Sequence, residues 1–204
     1  MNGALAILFS SIFIWKATKG LPFTNDKQAL SSDSVRFLVL ADWGGSPYPP
    51  FTTGVQVRVA HQMALKAEKE KVSFVLALGD NFYMNGVVGF YDERFKTTFE
   101  EVYHQESLNI PWYIIAGNHD HYGTVESQIL YSTISNRWNF PDFYYKESKT
   151  LPGGKVLDIL FLDTYILCGP TYNTPFGHRI RAPLYYSWAE SQWEWIQSNL
   201  KESK

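Results

Sequence analysis

Cysteine is nearly absent: Cys168 is the single one, so no disulfide can close within these 204 residues. A lone cysteine stays free, pairs with another molecule, or has lost its partner. Excess charge of one sign is missing too. The net charge is -2, which argues against a broad nucleic-acid face. No Asn-X-Ser/Thr acceptor occurs, since Asn173-Thr174-Pro175 lacks the third-position hydroxyl, so N-glycosylation is not expected. There is no internal repeat and no low-complexity run.

Long apolar runs are also absent. Ala4 to Trp15 is apolar apart from two serines, too short for a stable membrane span. Its place at the N-terminus, ahead of Lys16-Ala17-Thr18-Lys19-Gly20, reads as a secretory signal peptide over residues 1–20. A basic side chain is missing from the segment before the run. A buried N-terminal strand or a retained anchor are the competing readings. Secretion or a lysosomal location follows if the signal reading holds.

What remains is ample for one α/β domain with a real core. Aromatic residues make up 17% of the chain and are well spread, which excludes disorder. Four apolar runs have strand character: Arg36 to Ala41, Val72 to Leu78, Trp112 to Ala116 and Leu157 to Leu162. Continuous runs of this length suit strands buried on both faces. Helical patterns lie between them. Val55, Val59, Met63 and Ala67 recur at every fourth residue, and Asp92 is placed to cap a helix carrying Phe95, Phe99 and Val102. Ser187-Trp188-Ala189-Glu190 reads as a capping box opening a last helix with Trp193, Ile196 and Leu200. The alternation predicts a mainly parallel α/β sheet. Gly44 to Gly54 and Gly169 to Pro183 are expected to be long exposed loops.

Three of the strands end in polar clusters. These are Asp42-Trp43-Gly44-Gly45, Gly79-Asp80-Asn81-Phe82-Tyr83 and Gly117-Asn118-His119-Asp120-His121. In open α/β sheets the carboxyl ends of strands converge on one crevice. Carboxylates gathered there need a counter-charge, and Asp, Asn and phenolate oxygens are hard ligands for a cation. Each group alone has a plainer reading. An Asp after a strand is usually a turn former, and a tyrosine is usually a core residue with a satisfied hydroxyl. Three such clusters at three strand ends are much harder to read that way.

These motifs, in this order and spacing, resemble the first three motif blocks of the purple, or tartrate-resistant, acid phosphatases. These are members of the calcineurin-like metallophosphoesterases. The stretch Val75 to Tyr83 and Arg137-Trp138-Asn139-Phe140-Pro141 are especially similar to the small tartrate-resistant type. The resemblance runs from about Arg36 to the end. It implies a layered α/β/β/α sandwich, C-terminally truncated, with residues 21–204 forming a partial metallophosphoesterase domain.

The resemblance also implies a dinuclear centre of ferric iron and a second divalent metal, iron or zinc. Asp42 would bind the iron, Asp80 would bridge both metals, and Tyr83 would bind iron as phenolate. Asn118 would bind the second metal. His119 would protonate the leaving alcohol while hydroxide attacks phosphorus in a phosphate monoester. His121 stays open between a substrate contact and an ordinary loop histidine. The family pattern gives Asp163 no metal role, so a structural one is expected. His61 and His104 read as helix side residues, and Gly177-His178-Arg179-Ile180 is rejected as a Gly-His-X-His motif.

The two remaining family blocks, which supply three histidine ligands, do not occur in these 204 residues. Two functions therefore stay open: an acid phosphatase, or a catalytically inactive truncated isoform or fragment with at most a binding role. The resemblance further implies a missing disulfide partner for Cys168. Self-association through unpaired core or through Cys168 is expected to follow.

Overall fold

A computed structural model describes residues 4–8, 13–15, 34–174, 177–180 and 182–203, with side chains described outside 4–15 and 171–180. Three strands lead the chain: β1 (Ala4–Leu8), β2 (Phe13–Trp15) and β3 (Phe37–Leu40). Helix α1 (Gly54–Glu70), β4 (Phe74–Ala77) and β5 (Trp112–Ile114) follow. Helix α2 (Val125–Tyr131), β6 (Trp138–Asn139), β7 (Tyr145–Thr150) and β8 (Val156–Phe161) come next. Helix α3 (Thr164–Cys168), β9 (Thr171–Thr174), β10 (Gly177–Ile180) and α4 (Tyr186–Glu202) close the described chain.

A parallel sheet is present as expected, in the order β3-β4-β5-β6, but it takes in three of the four predicted runs: the fourth, Leu157 to Leu162, forms β8 of a different sheet, and the short β6 stands in its place. A second sheet runs β2-β1-β8-β7, with β1 parallel to β8 and β7 antiparallel to it. Alternation along β5 explains the layering. Trp112 packs among Trp43, Phe99 and Tyr103 on one face, while Tyr113 meets Phe161 of the second sheet on the other. The Tyr145 hydroxyl on β7 donates to the Ile114 carbonyl at 2.9 Å, joining the sheets with a buried polar contact. Beyond β8, Leu160 and Leu162 pack with Leu167 of α3 and Ile196 of α4. The described layers are thus helix, sheet, sheet, helix, as the resemblance implies.

Several local expectations are corrected. Helix α1 buries Gln56, Ala60, Met63, Ala64 and Ala67, while Val55 and Val59 face outward. A strict four-residue spacing drifts around a helix of 3.6 residues per turn, so the early valines rotate off the buried stripe. The unforeseen cap is Thr53, whose hydroxyl accepts from the Gln56 N–H at 3.1 Å. Asp92 does not cap a helix. Its carboxylate accepts from the N–H groups of Val88 and Arg94 and pairs with the Arg94 guanidinium at 2.8 Å, bracing the turn before a π-helical segment, Phe95–Glu100. Phe95, Phe99 and Val102 are buried as expected.

Helix α4 begins at Tyr186 with no side-chain cap, so the Ser187 box does not form. Its buried side is Ala189, Gln192 and Ile196, with Trp193 half-exposed. The long loop expected over Gly169 to Pro183 contains the antiparallel pair β9–β10. The expected cleavage near Gly20 lies outside the described residues.

Candidate metal centre

Asp42 and Asp80 each stand just beyond a parallel strand, and both take left-handed backbone conformations, with φ of 55° and 53°. Aspartate tolerates this region better than most residues, yet each such position still costs on the order of 1–3 kcal/mol. The turns aim both carboxylates at one point. The Tyr83 hydroxyl donates to Asp42 Oδ1 at 2.8 Å and also reaches Asp80 Oδ2 at 3.1 Å. Three oxygen donors from two separate loops therefore meet.

The third loop closes against the second. The His119 N–H donates to Asp80 Oδ1 at 3.1 Å. A Cβ on Gly117 would lie 2.2 Å from that same oxygen, so only glycine permits this approach. Asn118 sits between these two residues, half-buried, and its amide makes no hydrogen bond among the described residues.

The His119 ring lies against Tyr83, with centroids 4.8 Å apart in an edge-on arrangement. Its Nδ1 is 2.5 Å from the Met84 carbonyl. A carbonyl only accepts, so Nδ1 carries the proton in this contact and Nε2 is left for chemistry. Burial pushes the Tyr83 phenol far above its ordinary pKa, and the neighbouring Asp42 and Asp80 carboxylates add to it. A phenolate here therefore requires a cation to replace the proton.

That requirement tests the fit of the implied iron. Two carboxylates, a phenol and a nearby amide are hard oxygen donors suited to a ferric or divalent ion. Among the described residues no group of three or more His, Cys, Asp or Glu side chains stands ready for a metal. The donor set is thus oxygen-rich and lacks imidazole.

Trp43 follows Asp42 in the first motif. It is buried among Phe82, Phe99, Tyr103, Trp112 and Trp138, and anchors the first ligand loop in the core. Gln56 holds its backbone by donating to the Trp43 carbonyl at 2.8 Å. Neither role carries a sequence signal, because both depend on elements remote in the chain.

His121 is turned to α3. Its Nε2 is 2.7 Å from Oδ2 of the fully buried Asp163, and its ring stacks on Tyr165 at 4.3 Å. It lines a cavity of about 420 Å³ with Phe143, Tyr165, Tyr185 and Trp188. None of its hydrogen bonds or ring contacts is with Asp42, Asp80, Tyr83 or His119. Asp163 has the expected structural role, capping α3 through Ile166 N–H at 2.9 Å. His61 and His104 are exposed, and the His178 side chain lies outside the described residues.

Comparison with known proteins identifies the family. The profile of the Calcineurin-like phosphoesterase family matches residues 35–202. Tartrate-resistant acid phosphatase type 5 of Oryctolagus cuniculus is 40% identical over 176 residues, which is 85% of this chain and 54% of that protein. Purple acid phosphatase 7 of Arabidopsis thaliana is 36% identical over 148 residues, 72% of this chain and 42% of its own length. A solved structure described as "GAP50 the anchor in the inner membrane complex of Plasmodium" superposes with a TM-score of 0.63 at 26% identity, covering 82% of this chain and 50% of that one. The chain spans about half the length of the curated relatives it matches. A strand-end site of this kind and a family match across the described domain lead to one conclusion: the chain belongs to the calcineurin-like phosphoesterases and is of the purple acid phosphatase type.

Proposed function

We propose that this chain carries part of the active site of an acid phosphatase that hydrolyses phosphate monoesters. The observation that carries the reading is the convergence of Tyr83 on Asp42 and Asp80 with the His119 ring alongside. Asp42, Asp80 and Tyr83 would hold ferric iron, with Asp80 shared by a second divalent metal, iron or zinc, that Asn118 also holds. The pair would supply Lewis acidity and activate water at acidic pH. His119 holds a proton on Nδ1 against the Met84 carbonyl, which leaves Nε2 as the nitrogen that would pass a proton to the leaving oxygen. Tyr83 packs against this ring and limits its rotation.

A second reading is a non-catalytic binding role. It is favoured by the likeness to a structure described as an anchor and by the absence of imidazole from the oxygen donor set. The two readings separate in one experiment. The full chain is loaded with ferric iron and zinc and assayed on an aryl phosphate near pH 5. Measurable turnover that His119→Ala abolishes supports the enzyme. Metal binding without turnover supports the second reading, and no metal binding at all removes both metal assignments.

The N-terminal segment is proposed to be a signal peptide, with the product secreted or lysosomal. Removal of residues 1–20 would take away β1 and β2 and leave β8 with β7 as its one described neighbour. An open edge of this kind favours pairing with another chain. N-terminal sequencing of secreted material checks the cleavage, and a start at Met1 would count against it. Among the described residues no helix is long and apolar enough to cross a membrane.

A further inference from the structure

Asp120 has no part in the roles above, yet it is fully buried among the ligand loops. Its Oδ2 accepts from the Gly117 N–H at 2.8 Å and its Oδ1 from the Gln128 amide at 2.9 Å. The Asn81 N–H lies 3.1 Å from both oxygens. Two of these donors flank proposed ligands: Asn81 follows Asp80, and Gly117 precedes Asn118.

The connection extends to the first loop. Asn81 Oδ1 accepts from the Trp43 indole N–H at 3.0 Å, and Trp43 follows Asp42. The Asn81 amide in turn donates to Gln128 Oε1 at 3.0 Å and to the Ile115 carbonyl at 2.9 Å. All four side chains are buried.

We propose that Asp120, supported by Asn81 and Gln128, is a positioning residue that sets the spacing of the Asp80 and Asn118 loops and thereby the geometry and affinity of the cation site. The inference rests on the metal reading made under Proposed function. A buried carboxylate is expensive to desolvate, and an apolar filling often serves stability as well or better. What a carboxylate does that an apolar group cannot is accept N–H groups from two chain segments at once. Groups that orient metal ligands in this way typically change affinity or activity by about 10–100-fold when removed.

The test compares the full chain with Asp120→Asn and Gln192→Ala. Asparagine keeps the shape of Asp120 but turns an amide nitrogen towards N–H donors. Gln192 is a buried residue of α4 whose side-chain hydrogen bonds are to the Asp163 backbone and not to the ligand loops, so it controls for general loss of stability. Ferric iron affinity is measured by competition with citrate, alongside the visible phenolate–iron band and a urea midpoint. Asp120→Asn is expected to weaken iron binding by at least about 10-fold and to shift the band maximum, as loss of a ligand-orienting partner does. Gln192→Ala is expected to lower the urea midpoint and leave the affinity and band in place. Should Asp120→Asn fail to fold, Gln128→Leu breaks the same network from its edge and must show the same pattern. Wild-type affinity and an unshifted band in the Asp120 or Gln128 variant overturn the inference. So does an equal loss in Gln192→Ala, because affinity then follows stability alone. Wild-type protein that takes up no iron overturns the metal reading itself, and this inference with it.

Discussion

In the proposed centre, Tyr83 is the residue on which the chemistry turns. Its hydroxyl is the donor that holds Asp42 and Asp80 together, and its environment resists ionisation strongly unless a cation is present. Tyr83→Phe removes one oxygen and no carbon, so the fold stays intact. The site opens to solvent, so the lost hydrogen bonds cost about 1 kcal/mol or less. In any iron-loaded form the visible band should vanish. A spectrum unchanged by Tyr83→Phe would remove this residue from the ligand set. Sequence spacing brought Asp42, Asp80, Tyr83 and Asn118 forward as a set. It could not show that both aspartates adopt left-handed backbone, because that conformation is set by the glycine-lined contact between loops.

Elements matter here as supports for turns. The segment between β4 and β5 carries Asp92, which accepts two backbone N–H groups and pairs with Arg94. The guanidinium also donates to the Tyr83 carbonyl at 3.3 Å, so this brace reaches the ligand loop. Burial alone would raise the Asp92 pKa, but hydrogen bonds from Arg94 and the two N–H groups outweigh it and hold the carboxyl below its ordinary value. The folded state therefore binds the proton less tightly than the unfolded chain does. The stabilisation is present above the ordinary carboxylate range and is lost as pH falls through the lowered pKa. Asp92→Asn should cost about 1–2 kcal/mol at neutral pH, the low end reflecting solvent screening. The gap from wild type should narrow below about pH 4, near the ordinary aspartate pKa. Thermal midpoints measured across that range check this, and a gap independent of pH would count against it.

At the scale of the whole molecule, composition and donor set decide what can be assembled. Cys168 lies exposed on α3 with no bonded partner. It should titrate as one accessible thiol per chain, or cross-link two chains when oxidised. Denatured, unreduced monomer with no reactive thiol would contradict this. Under the enzyme reading, the 204 residues by themselves should hydrolyse phosphate esters measurably but slowly. Asp42, Asp80, Tyr83 and Asn118 supply oxygen only, and losing a single ligand or orienting partner already costs about 10–100-fold. Assay of the metal-loaded full chain near pH 5 checks the point. Turnover equal to that of a full-length relative, abolished by His119→Ala, would show that the oxygen set suffices.

The sequence by itself determined the strand-end placement of the three motifs, the parallel sheet and the family, because runs of apolar residues and adjacent polar clusters are local in the chain. The strand-end positions of Asp42, Asp80, Tyr83, Asn118 and His119 were legible for that reason. Only the tertiary structure decided which face of α1 is buried, that Asp92 braces a turn instead of capping a helix, and that His121 turns to Asp163. It also decided that Trp43, Asn81, Asp120 and Gln128 form one buried network beneath the site. The partners in that network come from up to 47 residues apart. Such contacts exist only once the strands have packed, since the hydrogen bonds depend on burial and on distances that no local pattern encodes.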